Sequence, residues 1–284
     1  MRRGAARLRP TRSCHPLPVA SESPLMEIDN LTAAELRVWR AYPRGEAVDF
    51  RAAGDDDPAE GTGWGPERTL RAAVLRALLV GAPQEDGEIP VLKVAGARIA
   101  GSLNLMYAEI DHAVRLSQCR FDEAPKLYGS RLRQLNLAGS ALPGVSLGST
   151  RVDGVLRLTE CRFQGPVRLG GAQISAALFM ERARIAAPDA QEPALQLNHV
   201  TLGDDLWAPG LRVHGLTRLN GATVAVSVNL EDAEFVRRGG HVIVAEALNV
   251  GANVLARRLR ADGRVGLRGA RMRGRCRPWG PPRR

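Results

Sequence analysis

Three strings in the chain have residue types that could do chemistry. Gly144-Val-Ser146-Leu-Gly148 has the spacing of a hydrolase nucleophile, Gly61-Thr-Gly63-Trp-Gly65 approaches a phosphate-binding glycine turn, and Asp55-Asp56-Asp57 could offer carboxylates to a cation. A nucleophilic serine of that type needs a sharp strand-to-helix elbow with Asp and His partners behind it. A dinucleotide turn needs GxGxxG between a strand and a helix, so that backbone amides can approach the pyrophosphate. A calcium loop needs ligands at alternate positions and a bidentate Glu downstream. None of the three meets its requirement. Val145 and Leu147 fall on repeat positions, the glycines have the wrong spacing and no strand before them, and the aspartates are consecutive. His15, His112, His199, His214 and His241 form no HxxxH or HxH, and Cys14, Cys119, Cys161 and Cys276 form no CxxC. There is no P-loop, and the only lysines are Lys93 and Lys126. The sequence therefore names no catalytic, cofactor-binding or metal-binding residue, and no cofactor is expected. An enzyme whose site is assembled by stacking distant segments stays open as an alternative.

The elements that would position such residues come from an internal repeat. In Leu103-Asn-Leu105-Met-Tyr-Ala108-Glu-Ile110 two aliphatic residues lie two apart, followed by a small residue and another aliphatic. The same order recurs at 114–121, 135–142, 145–152, 156–163, 167–174, 217–224 and 228–235, with weaker copies between. Within each unit the anchors are five apart, as in Leu116/Phe121, Leu158/Phe163 and Leu230/Phe235; between units the step is mostly six. The pattern breaks at 186–196 and blurs over 236–250, with Val250/Leu255 and Leu267/Met272 as candidates for its return. Side chains five apart do not share a face of a 3.6-residue helix. A hairpin sheet would need longer alternation and turn signals. Short straight faces in a coil satisfy both observations.

The small-x-aliphatic steps Ala108-Glu-Ile110, Cys119-Arg-Phe121, Cys161-Arg-Phe163, Ala172-Gln-Ile174 and Ala233-Glu-Phe235 resemble the A(D/N)Lxx unit of pentapeptide-repeat proteins. The resemblance covers roughly 92–272 and implies a mainly β fold, a right-handed parallel β-helix. It departs from that family in alternating steps of five and six. The N-terminal stretch, LTAAELRVWRAYPRGEAVDFR and WGPERTLRAAVLRALLVG, is similar to actinobacterial proteins labelled "membrane-associated oxidoreductase". In that group a hydrophobic C-terminal segment tends to follow the repeats. Here the chain ends in MRGRCRPWGPPRR, as a shortened version would. No residue pattern supports the oxidoreductase label.

Four regions follow: a disordered basic tail over 1–25, an α-helical N-terminal cap over 26–90, the β-helix over 91–272 and a second disordered basic tail over 273–284. Met26 could be the start, with 1–25 an upstream extension. Thr32-Ala-Ala-Glu35 has the form of a capping box, predicting a helix over 31–43. A second helix is predicted from Pro66 to Gly81, with Leu70, Val74 and Leu78 on its apolar stripe. About seven coils are expected, each of two repeat units, spaced about 4.8 Å. Ala97, Cys119, Ser140, Cys161 and Ala183 then form one interior column, and Ala108, Ser130, Thr150 and Ala172 another. Cys119 and Cys161 would lie about 9–10 Å apart, too far for a disulfide, and are read as reduced packing residues.

The net charge of +10 is concentrated at the ends. Residues 1–25 carry five arginines against one glutamate, residues 271–284 carry six arginines, and the body between is balanced. A neutral rod argues against nucleic acid as the partner and against mimicry of DNA. Outward arginines and glutamates, among them Arg98, Glu109, Arg115, Arg120, Arg157, Arg162, Arg168 and Arg184, read first as a solvated surface and second as a partner-binding face. The leading expectation is a cytoplasmic, non-catalytic scaffold that binds an unidentified protein partner. The alternative is peripheral contact with an anionic membrane surface through the basic tails. The oligomeric state is left open.

Overall fold

In a coil of short faces the backbone must find its hydrogen-bond partners in the neighbouring turn. The computed structural model describes residues 30–51, 56–81, 87–187, 192–274 and 276–277. Among these, strands stack in parallel into a β-solenoid of about eight turns. Each turn has four faces. In the turn that opens at Val114 the inward pairs are Val114/Leu116, Cys119/Phe121, Pro125/Leu127 and Ser130/Leu132, all buried. The residues between them, Arg115, Arg120, Lys126 and Arg131, are the outward ones. One turn on, Val114 pairs with Leu135, and Leu135 with Leu156. The two expected interior columns form: Arg98, Arg120, Ala141, Arg162 and Arg184 pair in sequence, which stacks the preceding Ala97, Cys119, Ser140, Cys161 and Ala183.

Two corners of each turn share a tight turn whose third residue has a left-handed backbone. One such corner stacks Gly96, Gln118, Gly139, Glu160, Arg182, Gly210, Asp232 and Arg258; the other stacks Tyr107, Gly129, Ser149, Gly171, His199, Gly221, Ala247 and Gly269. The amide of the following residue closes each turn, as in Ala172 N to Leu169 O at 2.9 Å. That residue points inward at the corner, which explains why it is small in most turns. Nine of these sixteen left-handed positions carry a side chain, and each of those costs about 1–2 kcal/mol relative to glycine.

The solenoid begins earlier than its repeats do. Helix α1 (Ala33–Ala41) starts with the expected capping box. Strand β1 (Ala47–Asp49) then pairs with β3 (Leu92–Ala95), and β2 (Thr69–Arg71) with β4 (Arg98–Ala100). The second helix therefore starts at Ala72, not at Pro66, and runs to Gly81 as α2. Pro66 opens a short 3-10 turn instead. The free edge of β4 takes Thr69–Arg71 into the ladder, so Leu70 is an inward strand residue paired with Ile99. Leu75, Leu78 and Leu79 of α2 join the apolar cluster of Leu92, Val94 and Ile99.

Glu35 closes the sheet edge that β2 leaves open. Its fully buried carboxylate accepts the Arg71 amide (2.9 Å), Arg71 Nε (2.7 Å), Arg71 Nη2 (2.6 Å) and the Thr32 amide (2.9 Å). An unpaired strand edge is a site for unwanted pairing. Here a helix cap and a strand edge share one acid.

At the other end the blurred stretch resolves into one strand, Glu234–Val244, which pairs with Arg260–Gly266 through register shifts at Val236/His241 and His241/Ile243. The extra residues bulge out and the ladder resumes. This, with the early start, makes about eight turns where about seven were expected. Val250 returns to the interior, but Leu255 is outward, paired with Asn229. Pairing continues past 272: Val254 and Leu255 pair with Cys276 and Arg277.

Two predictions follow from these local constraints. Gly171 has φ +71°, and a β-carbon there meets nothing closer than Ser149 Oγ at 3.5 Å. Gly171→Ala should therefore lower stability through the backbone alone, by about 1 kcal/mol, and Ala247→Gly (φ 54°) should raise it by a similar amount. Thermal unfolding of both variants checks the opposite signs. For Glu35, burial pushes the carboxyl pKa up, but the hydrogen bonds from Arg71 and the Thr32 amide outweigh it and leave the pKa below 4.5. Its contribution is thus complete above the unfolded-state value and is lost as pH falls through the lower, folded value. Glu35→Gln should cost about 2 kcal/mol at neutral pH, given that Arg71 is half exposed, and should flatten the acid limb of a stability–pH curve.

Candidate interaction faces

The strings that suggested chemistry lie in short regular elements and packed turns. Ser146 is outward on the third face, between Lys126 and Arg168 in adjacent turns. The elbow that a nucleophile would need is occupied by an ordinary strand, Val145–Ser146. Gly61 and Gly63 lie in a 3-10 helix, Pro58–Gly63. Gly61 packs on Arg120 so closely that a β-carbon would sit 2.9 Å from that of the arginine. Trp64 lies under the Arg68 guanidinium, 3.8 Å from its ring centre. Asp56 pairs with Arg68, and Asp57 caps the 3-10 helix and pairs with Arg162; Asp55 lies outside the described residues.

His112 meets the Tyr42 ring edge-on at 6.2 Å, His199 occupies a left-handed corner, and His214 and His241 lie in separate strands. His15 lies outside the described residues. No group of three metal-ligating side chains forms among the described residues.

Cys119 and Cys161 are buried and unpaired, in one column with Ser140 between them. Cys161 Sγ lies 3.0 Å from Leu137 O, and Cys119 Sγ 3.3 Å from Ser117 O. Burial pushes both thiols up to about 12. Ser140 satisfies its hydroxyl within the column, donating to Leu116 O and accepting from the Cys119 amide. Cys14 lies outside the described residues, as does the side chain of Cys276.

Among the described residues the interior is tightly filled. The void among Leu105, Phe121, Leu127 and Leu137 is about 10 Å³, at the limit for one water. A recess of about 300 Å³ lies beside α1, lined by Thr32, Glu35, Trp64, Arg71 and Arg98 among others. Its carboxylate is saturated by Arg71 and Thr32, which marks it as part of the cap.

What remains is the outer surface, where the structure places features that the repeat pattern hides. Tyr107 and Tyr128 sit in consecutive turns at one corner, ring edge to face at 5.7 Å, 69% and 42% exposed, with Met106 beside them at 39%. The Tyr107 amide donates to Tyr128 O at 3.0 Å, which fixes their spacing. The missing β-carbon of Gly129 makes room for the Tyr107 ring. On the first face Arg157, Phe179 and Trp207 pair in adjacent turns, with the Arg157 guanidinium 4.2 Å from the Phe179 ring centre. On the second face most outward positions are arginine. Tyr107 is matched by Gly129 in the next turn and Tyr128 by Met106 in the turn before, so the two tyrosines do not occupy equivalent places in the repeat and its pattern does not pair them.

The chain matches no model of a protein family, no curated protein and no solved structure. The stacked parallel fold agrees with what the likeness to pentapeptide-repeat proteins implies, and no relative lends support to an oxidoreductase label. Among the described residues no helix is long and apolar enough to cross a membrane.

If Cys119 and Cys161 are packing residues, a variant lacking Cys14 and Cys276 should give no thiol signal with an aromatic disulfide reagent at pH 8 until denaturant is added, and then two thiols per chain. A free thiol in the native state would contradict the burial.

Proposed function

We propose that this protein is a non-catalytic scaffold that binds a protein partner through its outer faces. The observation that carries this reading is the Met106–Tyr107–Tyr128 patch. Large apolar and aromatic groups rarely stand together on a free surface without a role, and tyrosine is enriched among the residues that dominate binding energy. The chain is poor in aromatics at 4%, yet two of its three tyrosines share this corner. Their backbone is held by inter-turn hydrogen bonds, so little ordering entropy is lost on binding. A solenoid suits the task because successive turns present side chains at fixed spacing over an extended surface.

A second reading, contact with an anionic membrane surface, is favoured by the last described turn. There Arg264, Arg268, Arg271 and Arg273 are exposed around Leu267, which is 49% exposed. Basic groups around an apolar residue suit a headgroup region.

A photo-crosslinking amino acid at position 107 should trap a discrete adduct in native lysate, whereas the same group at position 151 on the fourth face should not. The Tyr128→Ser background should weaken the adduct several-fold. Equal labelling at both positions would remove the support for the scaffold reading. Flotation of the whole chain with anionic but not neutral vesicles, lost on replacing Arg264, Arg268, Arg271 and Arg273, would favour the second.

A further inference from the structure

The second face differs from the others in composition and in what covers it. Its paired outward positions run Arg98, Arg120, Ala141, Arg162, Arg184 and Arg212, with Glu234 and Arg260 beyond. Adjacent strands lie about 4.8 Å apart, so guanidinium groups stacked in such a row repel unless anions come between them.

In the first half of the row the chain supplies the anions itself. Asp122 takes Arg98 at 2.9 Å. Asp57 reaches Arg162 at 2.5 Å, and Ala59 O accepts Arg120 Nη1 at 3.3 Å. Gly61 rests against the Arg120 β-carbon. Ala141, between the two arginines, is only 3% exposed although it points outward, as a segment bridging its neighbours would leave it. An acidic segment of this chain thus lies along the row and engages it through both a carboxylate and a main-chain carbonyl.

Past Arg162 that cover ends. Arg184 is exposed, and its guanidinium has no carboxylate or carbonyl partner among the described residues. Arg212 comes no nearer than 3.9 Å to Glu234. The carboxylates of the adjoining corner are engaged elsewhere: Glu160 and Glu181 pair with Arg182, and Asp232 with Arg258. They leave Arg184 unmatched among the described residues and Arg212 with only its long contact to Glu234.

We propose that the open half of this row, centred on Arg184 and Arg212, binds a short acidic peptide segment of a partner protein, seated as Asp57–Gly61 is seated on Arg120 and Arg162. The flanking Glu160, Glu181, Asp232 and Glu234 would repel a continuous phosphate backbone, whereas carboxylates spaced along a peptide can alternate with them. Main-chain carbonyls of a peptide can also take guanidinium donors, as Ala59 does. This surface is separate from the tyrosine corner, so failure of the crosslink at position 107 would leave it standing.

The test is fluorescence anisotropy of the full chain with a labelled peptide copying residues 55–61, Asp-Asp-Asp-Pro-Ala-Glu-Gly. Saturable binding is expected that weakens steeply with salt, is absent for the peptide with Asn and Gln in place of its acids, and falls at least tenfold in the Arg184→Ala/Arg212→Ala double variant. Arg151→Ala on the fourth face should leave it unchanged. Glu234→Gln, which frees Arg212 from its neighbour, should tighten it at least twofold, and this variant does not depend on the double variant folding. Unchanged affinity in the double variant, or no binding of the acidic peptide, would overturn the proposal. So would tighter binding of single-stranded DNA or of phosphatidylserine vesicles lost in the same double variant.

Discussion

No turn of this solenoid can bury or satisfy itself. Its faces are mostly two or three residues long, and nearly every backbone partner lies in the turn before or after. Register between turns is therefore the constraint from which the rest follows. If Val114 stacks on Leu135 and Leu135 on Leu156, then the small residues at the corners must stack as well, and so must the left-handed residues before them. A one-residue slip would turn an entire outward row, mostly charged, into the core. The strict step of five within a unit is the sequence expression of that penalty. The looser step between units reflects corners that can absorb an extra residue.

The same constraint explains where irregularity is tolerated. The break at 186–196 and the bulge inside Glu234–Val244 both fall between faces or beside a ladder that resumes in register. The N-terminal opening is where the rule must stop, because among the described residues β1 and β2 have no turn below them. There the chain switches chemistry: a helix cap supplies the Glu35 carboxylate to the Arg71 amide, and α2 supplies leucines to the interior. Glu35 thus completes two structures at once, the start of α1 and the edge of β2.

Most of this was legible in the residues, and the exceptions have a common cause. The columns of Cys119, Ser140 and Cys161 could be placed because period is a property of one strand read along the chain. The capping box at Thr32 and Glu35 could be placed because it is local. Thr69–Arg71 could not: its three residues match a helix stripe as well as a strand, and only the free edge of β4 decides between them. Leu255, which faces outward, is ambiguous in sequence for the same reason: one apolar residue at a plausible spacing does not report which way its neighbours face. The left-handed corners left a trace that went unused, a glycine immediately before the small inward residue at Gly96, Gly129, Gly139, Gly171 and Gly221. The tyrosine corner was out of reach of any one-dimensional pattern. It exists only because position 107 in one turn and position 128 in the next are neighbours in space.

Outward positions in such a fold are nearly free of folding constraints, and for that reason they are informative. An interior column must be apolar or small whatever the protein does. An outward row need only be soluble, and alternating charges satisfy that at least cost, as the paired acids and arginines of the Glu160–Arg182 and Asp232–Arg258 corner do. A row that stacks arginine on arginine runs against this expectation and must be compensated. The chain compensates Arg98 with Asp122, and Arg120 and Arg162 with the Asp57–Gly61 segment, and leaves Arg184 exposed and Arg212 with only a long contact to Glu234. Stacking in itself does not call for arginine, because on the fourth face Gln173, Thr201, Thr223 and Asn249 pair in register at the outward positions. The surplus of like charge is therefore a property of the surface, and over the first half of the row this chain meets it with Asp57 and the Ala59 carbonyl.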